Sequence, residues 1–412
     1  MRATASRRWL WALIAAGTAI RVAIAFATYG QVFDMGSYQV VRHAIAQQGI
    51  HLYDVVNVGG FHWPYPPGYL PWVAAAGGLA NLTGLPFHGI VQLPPILADA
   101  ALAWLVAAFL RLRGASDVVQ LTGAALVALG PTFAMVSGYH GQFDSVAILP
   151  AVVALYLWER LETPSRGLVA GGLVGLGGIF KTVPLVMLVA LLPTVRSWRE
   201  AGWLLGSAAA VLVVASLPFL VTTRATYEAA VREYHGFPGV GGLSLVVQPD
   251  LAGAWLGGGG GRGVVPHFNR ATRALVHHGG LLSDLIVGAL AAFLLRYRPR
   301  ATTAAVLVWL AVYVLAPGFF FQYLVWGLPF FLMAGYLRAV AIVQALTVVP
   351  MLLFYGPWRA DGLTAVYAAV MIGIWAALAG ALLLVGRGIV HGRPPPDAPR
   401  PALLPTPATA PA

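Results

Sequence analysis

Cysteine is absent from the 412 residues, so neither a disulfide nor a thiolate-held metal can form. Charge is scarce too. Only 9% of residues are Asp, Glu, Lys or Arg, against about 25% in soluble domains. The acids number 14 against 25 Lys and Arg, and lysine occurs once, at Lys181. What is abundant is apolar: 59% of the chain, with a mean hydropathy of +0.78. Apolar runs of roughly 15–25 residues recur from end to end, which excludes a water-soluble domain and predicts an all-α polytopic membrane protein. The net charge of +11 would point to nucleic acid in a soluble chain. In a membrane protein it reflects basic loops on the cytoplasmic side, and no nucleic-acid partner is expected.

The first apolar run lacks a small-residue cleavage site and ends in "ATYGQVFD", so it reads as a retained span. Spans are expected at Trp9–Tyr29, Ile90–Leu110, Val118–Val136, Ser145–Trp158, Gly167–Phe180, Thr182–Val195, Trp203–Val221, Leu281–Leu295, Thr302–Ala316, Tyr323–Tyr336, Ala339–Phe354 and Leu363–Val385. That makes about twelve crossings, within a range of ten to thirteen. The basic clusters "MRATASRR", "RLR", "ERLETPSR", "RSWRE", "RYRPR" and "RGIVHGR" then share one side with both termini, the cytoplasmic side. "PYPPGYLPWVAAAGGLANLTG" is read as a hairpin or interfacial helix, since a further crossing there would expel "RLR" and later clusters. Residues 1–390 form one integral membrane domain, with outer segments 29–89 and 222–280. Residues 391–412 form a Pro/Ala-rich disordered tail.

On this topology the unusual polar residues collect at the extracytoplasmic boundary. Asp34 follows the first span, in "FDMGSYQVVRHAIAQQ", which reads as a short amphipathic surface helix. It is either a solvated loop acid or a general base for an acceptor hydroxyl. In "HGQFDS", Asp144 is a candidate N-cap, yet His140, Gln142 and Asp144 also suit sugar hydroxyls or a phosphate. Lys181 interrupts a stretch too long for one crossing, and either snorkels or presents a point charge to a phosphate. Tyr65 lies in "YPPGYL", and Gln322 and Tyr323 open the tenth span; all three are candidate substrate contacts. Arg21 and Asp99 are intramembrane charges, read as an ion pair or as supports of the site. "GGGGGR", Gly257–Arg262, lacks the strand, lysine and helix of a phosphate loop and reads as a linker. His235, His267, His277 and His278 match no metal-ligand spacing.

The segments "AIRVAIA", "FDMGSYQ", "YPPGYL", "PPILADAALA", "GQFDSVAILPAVVALYLWER", "GLVAGGLVGLGGIFKTVPLVMLVALLP" and "QYLVWGLPFFL" follow one another from about residue 20 to 335. Together they resemble the GT-C fold glycosyltransferases that use polyprenyl-phosphate-linked sugars. The chain is similar to the second mannosyltransferases of GPI-anchor synthesis and to prokaryotic polyprenyl-phosphate-mannose mannosyltransferases. The resemblance implies a GT-C helical bundle in the plasma membrane, working on the extracytoplasmic face. It implies inverting transfer of a hexose, mannose foremost, to a glycan, glycolipid or protein acceptor. Asp34 would be the base, and the polar residues of "GQFD" and the lysine of "FKTVP" would bind donor or acceptor. No metal or other cofactor is expected, since the lipid-linked sugar is itself the substrate. Two departures stand out: the second acid of the first loop, Asp54, is far from Asp34, and Gly68 replaces a bulky apolar residue. The rival reading is a transporter or flippase of a lipid-linked substrate, but no internal repeat is present. A purely structural membrane protein would leave Asp34, Asp144 and Lys181 unexplained.

Overall fold

The computed structural model describes residues 2–56, 63–163, 165–232, 238–256, 267–356 and 363–392. The "GGGGGR" linker, His235 and nearly all of the expected tail lie outside them. Among the described residues the chain is helical and has no strand. The principal helices are α1 (Arg2–Ala27), α2 (Val32–Gln48), α3 (Leu70–Thr83), α4 (Leu93–Leu112), α5 (Asp117–Ala128), α6 (Asp144–Arg160), α7 (Arg166–Gly178), α8 (Trp198–Thr222), α9 (Gly279–Tyr297), α10 (Ala301–Leu315), α11 (Leu324–Met333), α12 (Leu337–Tyr355) and α13 (Leu363–Val390).

Among the described residues, seven helical stretches are long and apolar enough to cross a membrane: Ser6–Ala27, Phe87–Leu112, Asp117–His140, Trp198–Thr222, Gly279–Tyr297, Leu337–Tyr355 and Leu363–Val390. The protein is therefore a multi-pass membrane protein. The expected number of about twelve is not reached by this measure. The other expected crossings fall on shorter helices, α6, α7, Val183–Thr194, α10 and Phe321–Met333. At 1.5 Å per residue these reach about 18–26 Å, short of a hydrocarbon core of about 30 Å. Exposed Val214, Leu217 and Val221 on α8 show a face that would be intolerable in water.

Local signals explain where the helices begin and how they meet. Ser116 and Ser197 accept from backbone N–H groups at the starts of α5 and α8. Along α7 a methyl at Gly167, Gly171 or Gly175 would meet a backbone oxygen of α8 within 2.7 Å, so this small-residue stripe brings the two backbones together. Most of the buried apolar side chains form one core spanning the bundle. A second, smaller core lies at one end, where α2, α3, Trp63, Tyr69 and Phe143 pack together with Tyr227. The "PYPPGYLPWVAAAGGLANLTG" segment thus forms a one-turn helix, Pro67–Tyr69, followed by α3, which packs on α2. Within the expected outer segment 222–280, short helices cover Arg224–Arg232, Gly242–Val247, Leu251–Leu256 and Arg270–His277. Thr226 donates to Asp54 at 2.6 Å, so the distant second acid ties the two expected outer segments together.

Candidate active site

Three chain segments deliver the polar residues to one end of the bundle. Asp34 sits in the first turn of α2, where Gln31 caps its backbone N–H at 2.9 Å and the helix dipole favours a carboxylate. After α5 the chain widens into an i→i+5 turn over Ala134–His140, with Gly141 and Gln142 both donating to Val136 O. Gly141, at φ +83°, then reverses the chain in a conformation that favours glycine. This turn aims His140 and Gln142 at α2. Lys181 follows the end of α7, in the non-helical bend before Pro184.

The side chains form one continuous network. His140 Nε2 lies 2.6 Å from Asp34 Oδ2, and Gln142 Nε2 donates to Asp34 Oδ1. A carboxylate can only accept and an ammonium can only donate, which fixes the Gln142 amide orientation. Its Oε1 accepts from Lys181 Nζ at 3.0 Å. Lys181 also donates to Asp144 Oδ1 at 2.7 Å and lies 4.7 Å from the Tyr65 ring centroid. Trp326 Nε1 donates to the same Asp144 oxygen. On the far side of the histidine, the Tyr355 hydroxyl meets His140 Nδ1. The histidine tautomer sets which of the two partners donates in that contact. Asp34 retains 15% side-chain exposure, whereas His140, Gln142, Asp144 and Lys181 are buried. The buried Oδ2 of Asp144 and Oε1 of Gln322 have no hydrogen-bond partner among the described residues.

Beside this network opens a cavity of about 450 Å³, walled by Tyr65, Lys181, Thr182, Asp284, Tyr323 and Trp326 together with apolar side chains. Asp34 and Asp144 do not line it; they reach it through Gln142 and Lys181. Tyr323 stacks on Trp326 at 4.0 Å. Burial, reinforced by the Asp34 and Asp144 charges, raises the Tyr65 hydroxyl well above the ordinary tyrosine value, so it stays protonated. Gly68 has a steric reason. Its N–H donates to Ile179 O at 2.8 Å, and a Cβ would stand 2.7 Å from that oxygen. Only glycine lets the Tyr65 segment dock against the bend that carries Lys181.

Some sequence expectations take a different form. Asp144 is not an N-cap: it is the first residue of α6 and its carboxylate turns to Lys181 and Trp326. Arg21 and Asp99, by contrast, form the expected ion pair, one of their two readings, fully buried at 3.0 Å and away from the cavity. Arg21 also donates to the carbonyls of Gly17, Val127 and Ala128, closing the C-terminus of α5. Asp99 accepts from Ser137 at 2.6 Å and from Ser145, so the pair braces the two ends of the turn that carries His140 and Gln142. Sequence reasoning gave no role to Tyr355, Trp326 or Asp284. Asp284 carried a usable signal, being a lone acid in an apolar helix, as Asp99 is. Tyr355 carried none. Among the described residues no three His, Asp or Glu side chains converge in a metal-ligating group.

Apolar helices around a buried acid–histidine–lysine network, beside a partly polar cavity, define a membrane-embedded protein with a polar centre at one end of its bundle. The model of glycosyltransferase family 87, a GT-C-type family, matches residues 63–318, and the chain belongs to that family. The protein is thus a glycosyltransferase by family. The match singles out no GPI mannosyltransferase or other member. No curated protein matches the chain.

Proposed function

We propose that this glycosyltransferase is an inverting enzyme that moves a hexose, mannose foremost, from a polyprenyl-phosphate carrier to an acceptor hydroxyl. The observation that carries the reading is the position of Asp34: partly open, at the end of a network that reaches Lys181 and the cavity. His140 and Gln142 each hold one carboxylate oxygen by a single hydrogen bond, leaving each oxygen able to accept another. Asp34 takes the proton of the acceptor hydroxyl as that oxygen bonds to the anomeric carbon. The bond from that carbon to the phosphate oxygen breaks on the opposite face, and polyprenyl phosphate departs. Lys181 stands at the cavity wall, where its charge stabilises the departing phosphate. The apolar remainder of the wall suits the first isoprene units of the carrier. The active end faces the extracytoplasmic side of the plasma membrane, with about twelve crossings and both termini cytoplasmic; Arg113, Arg166, Arg196 and Arg300, gathered at the other end of α6 from Asp144, support that orientation. Transport of a lipid-linked substrate has no support from the family.

The test is transfer of radiolabelled mannose from polyprenyl-phosphate mannose by the purified chain in lipid. Asp34→Asn keeps the size of the side chain and should lower turnover by about 10²–10⁴, the usual contribution of a general base. Turnover at the normal rate in that variant, with the protein folded and inserted, rejects Asp34 as the base.

A further inference from the structure

At the far end of α6 from Asp144, about 25 Å along the helix, lies a second cavity of about 480 Å³. Arginines from four separate chain segments border it: Arg113 after α4, Arg166 at the start of α7, Arg196 before α8 and Arg300 before α10. Scattered basic loops need no ligand, because the positive-inside tendency accounts for them. Here, however, the four arginines line one space.

Two of the four are fixed and neutralised. Arg113 pairs with Glu159 at 3.2 Å, and the buried Arg166 pairs with Glu200 while lying over the Trp158 ring at 4.3 Å. The other two form no salt bridge among the described residues, although the backbone N–H of Arg196 donates to Glu200 Oε2 and its charge acts on that carboxylate. Arg196 donates to the backbone carbonyl of Glu162 at 2.6 Å, and Arg300 makes no side-chain hydrogen bond or ion pair among the described residues. Against them stands one unpaired acid on the cavity wall, the exposed Glu162. Arg300 also occupies the cap position of α10 without capping it by its side chain, and the first residue of that helix, Ala301, lines the cavity. Leu112, Leu161 and Trp158 supply apolar wall beside the charges, and Trp198, 94% exposed, stands near Arg196 as an interfacial anchor does.

We propose that this basic cavity is a binding site for a phosphate group, held between Arg196 and Arg300 in bidentate fashion. The phosphate comes either from the headgroup of an anionic phospholipid in the adjoining leaflet or from a soluble phosphate. The site is separate from the proposed transfer chemistry and does not depend on it.

The experiment titrates the full-length protein in dodecyl maltoside with phosphatidylglycerol, phosphatidylcholine or inorganic phosphate, and follows the melting temperature. A saturable rise with phosphatidylglycerol alone assigns the lipid headgroup; a rise with inorganic phosphate as well assigns a soluble anion. In both cases the double variant R196Q/R300Q should bind about thirtyfold more weakly, roughly fivefold for each arginine. Arg338→Gln, an exposed arginine outside the cavity, should leave binding unchanged. Both altered arginines are exposed, so the double variant should fold. The proposal is overturned by the absence of a saturable response to either anionic probe, by an equal response to phosphatidylcholine, or by undiminished binding in R196Q/R300Q.

Discussion

His140 Nε2 lies 2.6 Å from Asp34 Oδ2, and the other nitrogen of the same ring meets the Tyr355 hydroxyl. The carboxylate is thus oriented by a ring that is itself oriented from α12. Tyr355→Phe removes one hydrogen bond worth about 0.5–1.5 kcal/mol and leaves the aromatic packing. Initial-rate transfer assays should show kcat down by about tenfold at most, with KM nearly unchanged. His140→Phe should be worse, because it also strips a donor from Asp34. Wild-type kcat in both would show that the ring does not position the acid.

Lys181 is held by Asp144 and Gln142 in a buried setting, so its loss has two consequences that a double variant separates. Lys181→Met leaves the Asp144 charge uncompensated, a loss of about 3–5 kcal/mol for breaking a buried pair. Lys181→Met with Asp144→Leu should recover most of the thermal stability, measured in detergent, while transfer stays lost. Recovery of transfer together with stability would remove Lys181 from the role proposed for it at the donor phosphate.

Arg21 and Asp99 are assigned a bracing role by their closed set of partners. Arg21→Leu should destabilise the protein by about 3–5 kcal/mol and reduce the amount recovered from membranes. Transfer per folded molecule should change little, which quantitative blotting beside the activity assay will check. A large loss of specific activity at normal yield would return the pair to the site.

Gly68→Ala tests the docking of the first outer segment on Ile179. The added methyl stands 2.7 Å from a backbone oxygen that cannot swing aside, so overpacking of about 1–3 kcal/mol is expected. Because the strain falls between Tyr65 and Lys181, the melting temperature and kcat should drop together. A variant with unchanged kcat would mean that this contact does not set the site.

Tyr38, Tyr65 and Tyr69 all have hydroxyls raised well above the ordinary value, chiefly by burial. In the unfolded chain these groups ionise near pH 10, while the folded protein keeps their protons. Stability from this source is therefore complete below about pH 10 and is lost as pH rises beyond it. Absorbance titration at alkaline pH should show these tyrosines ionising only together with unfolding. Reversible ionisation near pH 10 in the folded protein would contradict their burial.

Hydropathy placed the apolar helices well, because burial in lipid imposes a composition that any window detects. The expected Leu281–Leu295 became Gly279–Tyr297 and the expected Leu363–Val385 became Leu363–Val390. The lone Lys181 was conspicuous for the same reason. Partners were less legible. Asp144 has every local mark of an N-cap, and nothing within its own turn reveals a lysine 37 residues later that takes its carboxylate. Arg21 and Asp99 could be read as charges in lipid and as an ion pair, but the carbonyls and serines that complete their set of partners depend on how α1, α4 and α5 pack. Gly68 looked like a departure from pattern until the backbone opposite it was known.

The acid at position 34 and the tyrosine at position 355 belong to the two extremes of a 412-residue chain, yet both touch the same imidazole. During synthesis, no translation intermediate that ends before Tyr355 can carry a completed centre. Premature stops that remove α12 should therefore lower transfer further than Tyr355→Phe does, because the packing of that helix is lost together with the hydrogen bond to His140. Co-expressed N- and C-terminal fragments would regain function only where they reassociate in the bilayer.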